Sequence, residues 1–173
     1  REQIQAKAVV YGEVTLASGA RADYYLDLRR VTLDGVAAPL VGQVMRALTA
    51  DWAYEAVGGL TMGADPVATA MLHQAAAAGV RLDAFVVRKQ GKTHGLGRRI
   101  EGPDVAGRTV LAVEDTCTTG GSVLTAVEAL REAGAQVVGV AVLADRGTGA
   151  RERVEAAGLA YRAAYELADL GLG

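Results

Sequence analysis

The sequence predicts an α/β protein built on a doubly wound, mostly parallel five-stranded sheet with a small N-terminal hood. Two patterns lead to it. Short β-branched runs alternate with longer alanine-rich runs at helical spacing along most of the chain. Three helical runs end alike, in AAG at 79, EAG at 134 and AAG at 158, and each is followed by another apolar segment. A glycine at such an end closes the helix in the left-handed conformation. Continuous apolar strands with helical crossovers imply a sheet covered on both faces, and such sheets bind ligands at the carboxyl ends of their strands.

The elements follow in order. Residues 1–35 stand apart, since YGEVTLASG and ADYYLDLRRVTLDG read as short antiparallel strands forming a hood over one end of the sheet. The α/β core then runs over 36–173, and with no linker or repeat the whole of 1–173 reads as one domain. Val41, Val44, Met45, Leu48 and Trp52 recur at i, i+3, i+4, i+7 and i+11, one apolar stripe on a helix. A strand is expected at about 54–57. Pro66 opens the next helix, where its missing N–H is not needed, with Asp65 as its cap and Gly79 as its close. His73 on that helix reads as a partly buried structural histidine. Strands are then expected at 84–88, 109–113, 137–143 and 160–165, which completes five.

Composition removes several classes of function. Of 173 residues 51% are apolar and 22% charged, with net charge -2, so the chain has neither the basic excess of a nucleic-acid binder nor the polarity of a disordered segment. A chain this long buries roughly 70% of the surface its unfolded form exposes and needs no staple. The single cysteine, Cys117, excludes an internal disulfide, and no Cys/His cluster has zinc-ligand spacing, so no protein-held metal site is expected. No apolar run approaches the ~18 residues of a membrane span. No signal-peptide pattern opens the sequence, and a cytoplasmic location is expected. The chain begins at Arg1 rather than Met, so further N-terminal sequence is expected.

The chemistry concentrates in VEDTCTTGGS, 113–122, where a strand ending near Val113 turns into a helix starting near Ser122. Backbone N–H groups at a helix start are unpaired and the helix dipole adds positive charge, so an anion is favoured there. Gly120 and Gly121 let the backbone approach it. Glu114 and Asp115 would repel a phosphate, so they must serve another group. Ribose hydroxyls donate to carboxylates, and a sugar carbon that turns cationic in a transition state is stabilised by negative charge. One ligand carrying both phosphate and sugar satisfies the whole loop. The competing reading makes Thr118, Thr119 or Ser122 a mere N-cap beside solvated acids. Walker A and Rossmann patterns are absent. Cys117 reads as a spacer, because a nucleophilic cysteine would want a base nearby.

A second segment, the twenty residues 89–108, is long and poor in apolar residues, as functional loops are. Only three of the eighteen basic residues are lysines, yet Lys89 and Lys92 fall within four residues here, and His94 joins them. A mobile loop carrying Arg88, Lys89, Lys92 and His94 could close over a departing pyrophosphate, neutralise it and exclude water. The competing reading is a solvated charge run.

VLAVEDTCTTGGS closely resembles the phosphoribosyl-diphosphate signature of the type I phosphoribosyltransferases. The resemblance implies that Glu114 and Asp115 hold the ribose hydroxyls while Thr118, Thr119, Gly120, Gly121 and Ser122 wrap the 5'-phosphate, with Thr116 and Cys117 inside the same binding segment. RKQGKTHG resembles the catalytic loop of the orotate-using members, ASGARADYYLDLRR their N-terminal segment, and ADRGTG at 144–149 their fourth-strand exit. By that resemblance the reaction joins orotate to the phosphoribosyl group of 5-phosphoribosyl 1-diphosphate, giving orotidine 5'-phosphate and pyrophosphate. Lys92, His94 and Asp115 are the implied catalytic residues, and Thr118, Arg146 and Tyr25 the implied orotate contacts.

The same resemblance implies Mg2+ bridging the diphosphate, and a homodimer in which one subunit's loop reaches its neighbour's site, with no nucleic-acid or membrane partner. Arginine fits orotate physically, since its planar fork binds a carboxylate bidentately; the plainer reading of Arg146 is a loop-end ion pair. Two lysines common in these relatives are absent, at Ala17 and Met62. Glycines 58, 59 and 63 are expected to offer backbone N–H groups in partial compensation. The alternatives are a purine or uracil phosphoribosyltransferase and a non-catalytic sensor of phosphoribosyl diphosphate.

Overall fold

The structure is a computed structural model that describes residues 1–15, 21–90 and 99–172. A short helix, α1 (Glu2–Lys7), precedes a two-stranded antiparallel hood sheet of β1 (Val9–Thr15) and β2 (Arg21–Leu26). The hood strands agree with the sequence reading. Helix α1 is an addition to it, since six residues are too few for a periodic pattern; its Ile4 and the following Ala8 are buried against the core. After α2 (Arg29–Thr32), Asp34 accepts from the N–H groups of Val36 and Ala37 at 3.0 and 2.9 Å and from Lys7 Nζ at 2.8 Å. That holds Asp34 well below the usual carboxylate range, at about 2, and fastens the start of α3 (Ala37–Leu48).

The main sheet contains β3 (Ala56–Leu60), β4 (Asp83–Val87), β5 (Ile100–Glu101), β6 (Thr109–Cys117), β7 (Gln136–Asp145) and β8 (Ala160–Glu166), in the order β5-β4-β3-β6-β7-β8. It has six strands rather than five. The addition is β5, two residues antiparallel to β4 inside the span read as loop, too short to leave a periodic trace. All other pairs are parallel. Helices α3 and α4 (Ala64–Ala77) cover one face, with Val41, Met45, Val67 and Met71 buried against Leu111 and Leu143. Helices α5 (Gly121–Glu132) and α6 (Ala150–Ala156) cover the other, with Val123, Val127, Leu130 and Val154 against Val110, Val140 and Val142. Each fully buried side chain of this kind contributes about 1.5–3 kcal/mol.

The expected closing glycines all adopt positive φ, at 70° for Gly79, 81° for Gly134 and 78° for Gly158. Three local expectations change. Helix α4 starts at Ala64, so Pro66 and Asp65 both lie inside its first turn, and Asp65 accepts from the Thr61 hydroxyl at 2.6 Å instead of capping. Trp52 lies beyond the end of α3 and is only partly buried, with the Arg162 guanidinium 4.3 Å above its ring. His73 is exposed, since α4 turns that position away from the sheet.

Candidate functional site

The carboxyl ends of β3 and β6 meet the hood at a cleft of about 310 Å3. Strand β6 makes it possible by running to Cys117, four residues beyond its expected end, paired with β7 as far as Cys117 opposite Asp145. Glu114 and Asp115 therefore project from a strand whose backbone is already fixed, not from the turn. Gly63 makes room for them. A Cβ there would overlap Glu114 Oε1 and come within 2.6 Å of Asp115 Oδ1. The neighbouring Thr61–Met62 peptide is cis.

The acids are costly where they sit. Asp115 N–H donates to Glu114 Oε1 at 3.2 Å, and Thr116 N–H donates to Asp115 Oδ1 at 2.7 Å, which favours the ionised forms. Burial outweighs this. Loss of water, reinforced by the charge of Asp115, pushes Glu114 up to about 8. Burial raises Asp115 too, opposed by the Thr116 N–H and by the positive charge of Arg29. Perturbed carboxyls in a cleft are a mark of function, and a bound group that donates hydrogen bonds or carries positive charge would relieve both.

Past Cys117 the chain turns into α5 through Gly120, which occupies the N-cap position at φ 77°. No side chain caps this helix, so the reading of Thr118, Thr119 or Ser122 as a simple N-cap does not hold. Its first amides remain available to an anion. Thr118 and Ser122 line the cleft with Thr116, Glu114 and Asp115. Thr119, Gly120 and Gly121 shape the turn behind them; Thr119 offers its carbonyl to Arg153 at 3.4 Å.

Cys117 faces away. Its side chain is in the core, in contact with Tyr161, and burial pushes its thiol up, which makes it a packing residue and no nucleophile. Its carbonyl accepts from Arg146 N–H at 2.9 Å, tying the end of β6 to the turn that carries Arg146. Asp145 stiffens that turn, accepting from the Tyr161 hydroxyl and from Gly147 N–H, each at 2.9 Å.

Tyr25, Lys89 and Arg146 line the same cleft, so the structure gathers residues predicted from four separate segments. Arg88 does not line it; its guanidinium lies 3.5 Å from Glu101. Lys92 and His94 lie outside the described residues, as does Ala17. Gly58 and Gly59 are not loop donors. They lie within β3, where a Cβ on Gly58 would strike the Phe85 ring at 2.5 Å and one on Gly59 would fall 2.8 Å from Ala64. The sequence reading missed Asp27 and Arg29 on the hood wall and Thr61 on the floor; Gly63, expected as a backbone donor, does line the cleft. The signal for the first two was their i, i+2 spacing straight after the hood strand.

Residues 37–157 match the model of the phosphoribosyl transferase domain family. The chain is 70% identical to the orotate phosphoribosyltransferase of Streptomyces avermitilis over 172 residues, covering 99% of this chain and 94% of that protein. Among solved structures it is similar to Mycobacterium tuberculosis orotate phosphoribosyltransferase in complex with Fe(III) dicitrate, with TM-score 0.90 and 58% identity over 99% of this chain and 96% of the other. It is also similar to that enzyme in complex with 5-phospho-α-D-ribosyl 1-diphosphate, with TM-score 0.86 and 54% identity over the same shares.

Proposed function

The chain belongs to the orotate phosphoribosyltransferases of the type I phosphoribosyltransferase family, and from that membership we propose how its cleft performs the transfer. The reaction moves the phosphoribosyl group of 5-phosphoribosyl 1-diphosphate to orotate, releasing pyrophosphate. The bond from the sugar C1 to the diphosphate oxygen breaks, one from C1 to a ring nitrogen of orotate forms, and the proton on that nitrogen is lost to water or to the departing pyrophosphate. One juxtaposition carries this reading: two adjacent, buried carboxylates and an uncapped helix start share one cleft with Arg146.

The amides at the start of α5, with Thr118 and Ser122, hold the 5'-phosphate. Glu114 and Asp115 take the ribose hydroxyls, and their charge stabilises the cationic character that grows at C1. Arg146, fixed by the Asp145 turn, meets the orotate carboxylate, with Tyr25 and Thr118 beside the base. Uracil or adenine would leave that arginine unpaired. Lys89, Lys92 and His94 neutralise the leaving diphosphate.

Mg2+ fits the donor set, because Glu114 and Asp115 are hard oxygen ligands facing the cleft. Among the described residues no group of three or more His, Cys, Asp and Glu is arranged to hold an ion alone. Glu114 and Asp115 would hold the ion only together with bound substrate, and there it would supply charge neutralisation.

A homodimer is the proposed assembly, with the loop bearing Lys92 contributed across the interface. In its support, an apolar groove of about 640 Å3 opens between α2, α3 and α4, lined by Leu33, Pro39, Met62 and Pro66. Leu33 and Met62 are 69% and 62% exposed, and Met62 belongs to both groove and cleft. No helix among the described residues is long and apolar enough to cross a membrane.

Incubation with donor, Mg2+ and a panel of orotate, uracil, adenine and hypoxanthine, followed by pyrophosphate release, tests the function. Release is expected with orotate. Release with hypoxanthine and none with orotate would reassign the acceptor, and donor binding without release from any base would point to a sensor.

A further inference from the structure

Arg29 has entered so far only through its charge on Asp115, yet it lines the cleft with the acids. Its placement is specific. Asp27 Oδ1 accepts from Arg29 Nε at 3.0 Å and from its backbone N–H at 3.3 Å, and Arg29 Nη2 lies 3.5 Å from the Tyr25 hydroxyl. One carboxylate thus grips the guanidinium along its Nε edge and sets the angle at which the rest of the fork enters the cleft. Nη1 makes no hydrogen bond among the described residues, and the side chain is 41% exposed.

Stability does not account for this arrangement, because a half-exposed pair with Asp27 contributes little. Charge does. The described cleft holds the carboxylates of Asp27, Glu114 and Asp115 against the cations of Arg29, Lys89 and Arg146. A donor with a monophosphate at one end and a diphosphate at the other brings several further negative charges. The helix start serves the monophosphate and Arg146 the base. Gly63 bounds the corner at Asp115, and the Arg29 guanidinium and the Asp115 carboxylate act on each other electrostatically. If Asp115 holds the ribose, the substituent at C1 leaves from this corner.

We propose that Arg29, oriented by Asp27, binds the diphosphate of the phosphoribosyl donor and stays on it as pyrophosphate departs. The proposal rests on the donor identified above and adds to it a fixed, hood-borne contact that needs no loop closure. A preset guanidinium costs no reorganisation when charge develops on the leaving group. It also supplies a cation to the cleft that Met62 lines without a charge.

The test uses the full chain with two ligands, the donor and pyrophosphate alone, measured by calorimetry and by steady-state kinetics. Arg29→Gln is expected to weaken both ligands by roughly tenfold or more while the orotate KM stays within about threefold. Arg29→Lys, which keeps the charge and loses the fork, should recover part of the loss. Asp27→Ala, which removes the acceptor that orients the guanidinium, should weaken pyrophosphate by about threefold or more, and it decides the matter if Arg29→Gln does not fold. Unchanged pyrophosphate and donor affinity in Arg29→Gln would overturn the proposal, leaving Arg29 as a counter-charge to Asp115. A rise confined to the orotate KM would overturn it too, by moving Arg29 to the base. These results differ from a failure of the functional reading, in which the wild-type chain itself would bind no donor.

Discussion

Glu114 carries its charge reluctantly. In the folded protein, burial and the neighbouring Asp115 push it up to about 8 from an ordinary value near 4.5. A carboxyl raised in this way contributes stability that is complete below the unfolded value and is lost as pH rises through the folded one. The unliganded protein is therefore expected to lose stability between about pH 4.5 and 8, and the raised Asp115 acts in the same direction. Glu114→Gln removes the charge and keeps the shape. Its melting temperature should exceed that of the wild type at alkaline pH, with the gap closing toward acid; parallel curves would show that the acid is not buried as described. Donor binding has the opposite pH dependence, since ionised carboxylates are the better hydrogen-bond acceptors. At this scale the sequence was informative where unusual side chains stood together, as in Glu114-Asp115, which line the cleft. Arg29 escaped notice because arginine is the common cation of this chain, and only the fold shows which arginines enter the cleft.

Elements were legible in proportion to their length. The stripe on α3, the glycine closures and the apolar strands carry enough residues for a period to emerge, whereas α1 and β5 are too short for one. The end of β6 was misplaced for a different reason. Glu114, Asp115 and Thr116 near its end are polar and line the cleft, and polarity at the end of a strand reads as a turn. Packing between elements was not legible at all, and Gly42 shows why. It stands in the middle of α3, where glycine costs about 1 kcal/mol relative to alanine. The structure supplies the reason for it: a Cβ would fall 2.6 Å from the Ala70 carbonyl carbon and 2.8 Å from Gln74 Cγ on α4. A backbone atom cannot step aside as a side-chain tip can. Gly42→Ala thus gains about 1 kcal/mol of propensity but forces the helices apart, and overpacking costs roughly 1–3 kcal/mol. We expect net destabilisation in urea unfolding, larger for Gly42→Val; a stabilised Gly42→Ala would mean that α3 and α4 are not in this close contact.

For the whole molecule the question is whether one chain makes a complete site. The described cleft supplies the acids, the helix start, Arg29, Arg146 and Lys89, but two of the residues read as neutralising the leaving group, Lys92 and His94, belong to the loop outside the described residues. If that loop crosses to a partner, two defects placed in different chains become separable. Lys92→Ala removes a loop cation and leaves the acids intact; Asp115→Asn weakens the acids and leaves the loop intact. Each variant alone should turn over slowly. Mixed and allowed to exchange subunits, they form hybrid dimers in which one site unites the intact loop of one chain with the intact acids of the other. Random pairing puts about a quarter of all sites in that state, so roughly a quarter of wild-type activity should return. A loop acting within its own chain leaves every site with a defect, and mixing then restores nothing. Leu33→Asp, which places a charge in the exposed apolar groove, supplies the matching control: it should shift sedimentation toward monomer and abolish the recovery. A charged variant that still sedimented as a dimer and still complemented would place the interface elsewhere on the surface.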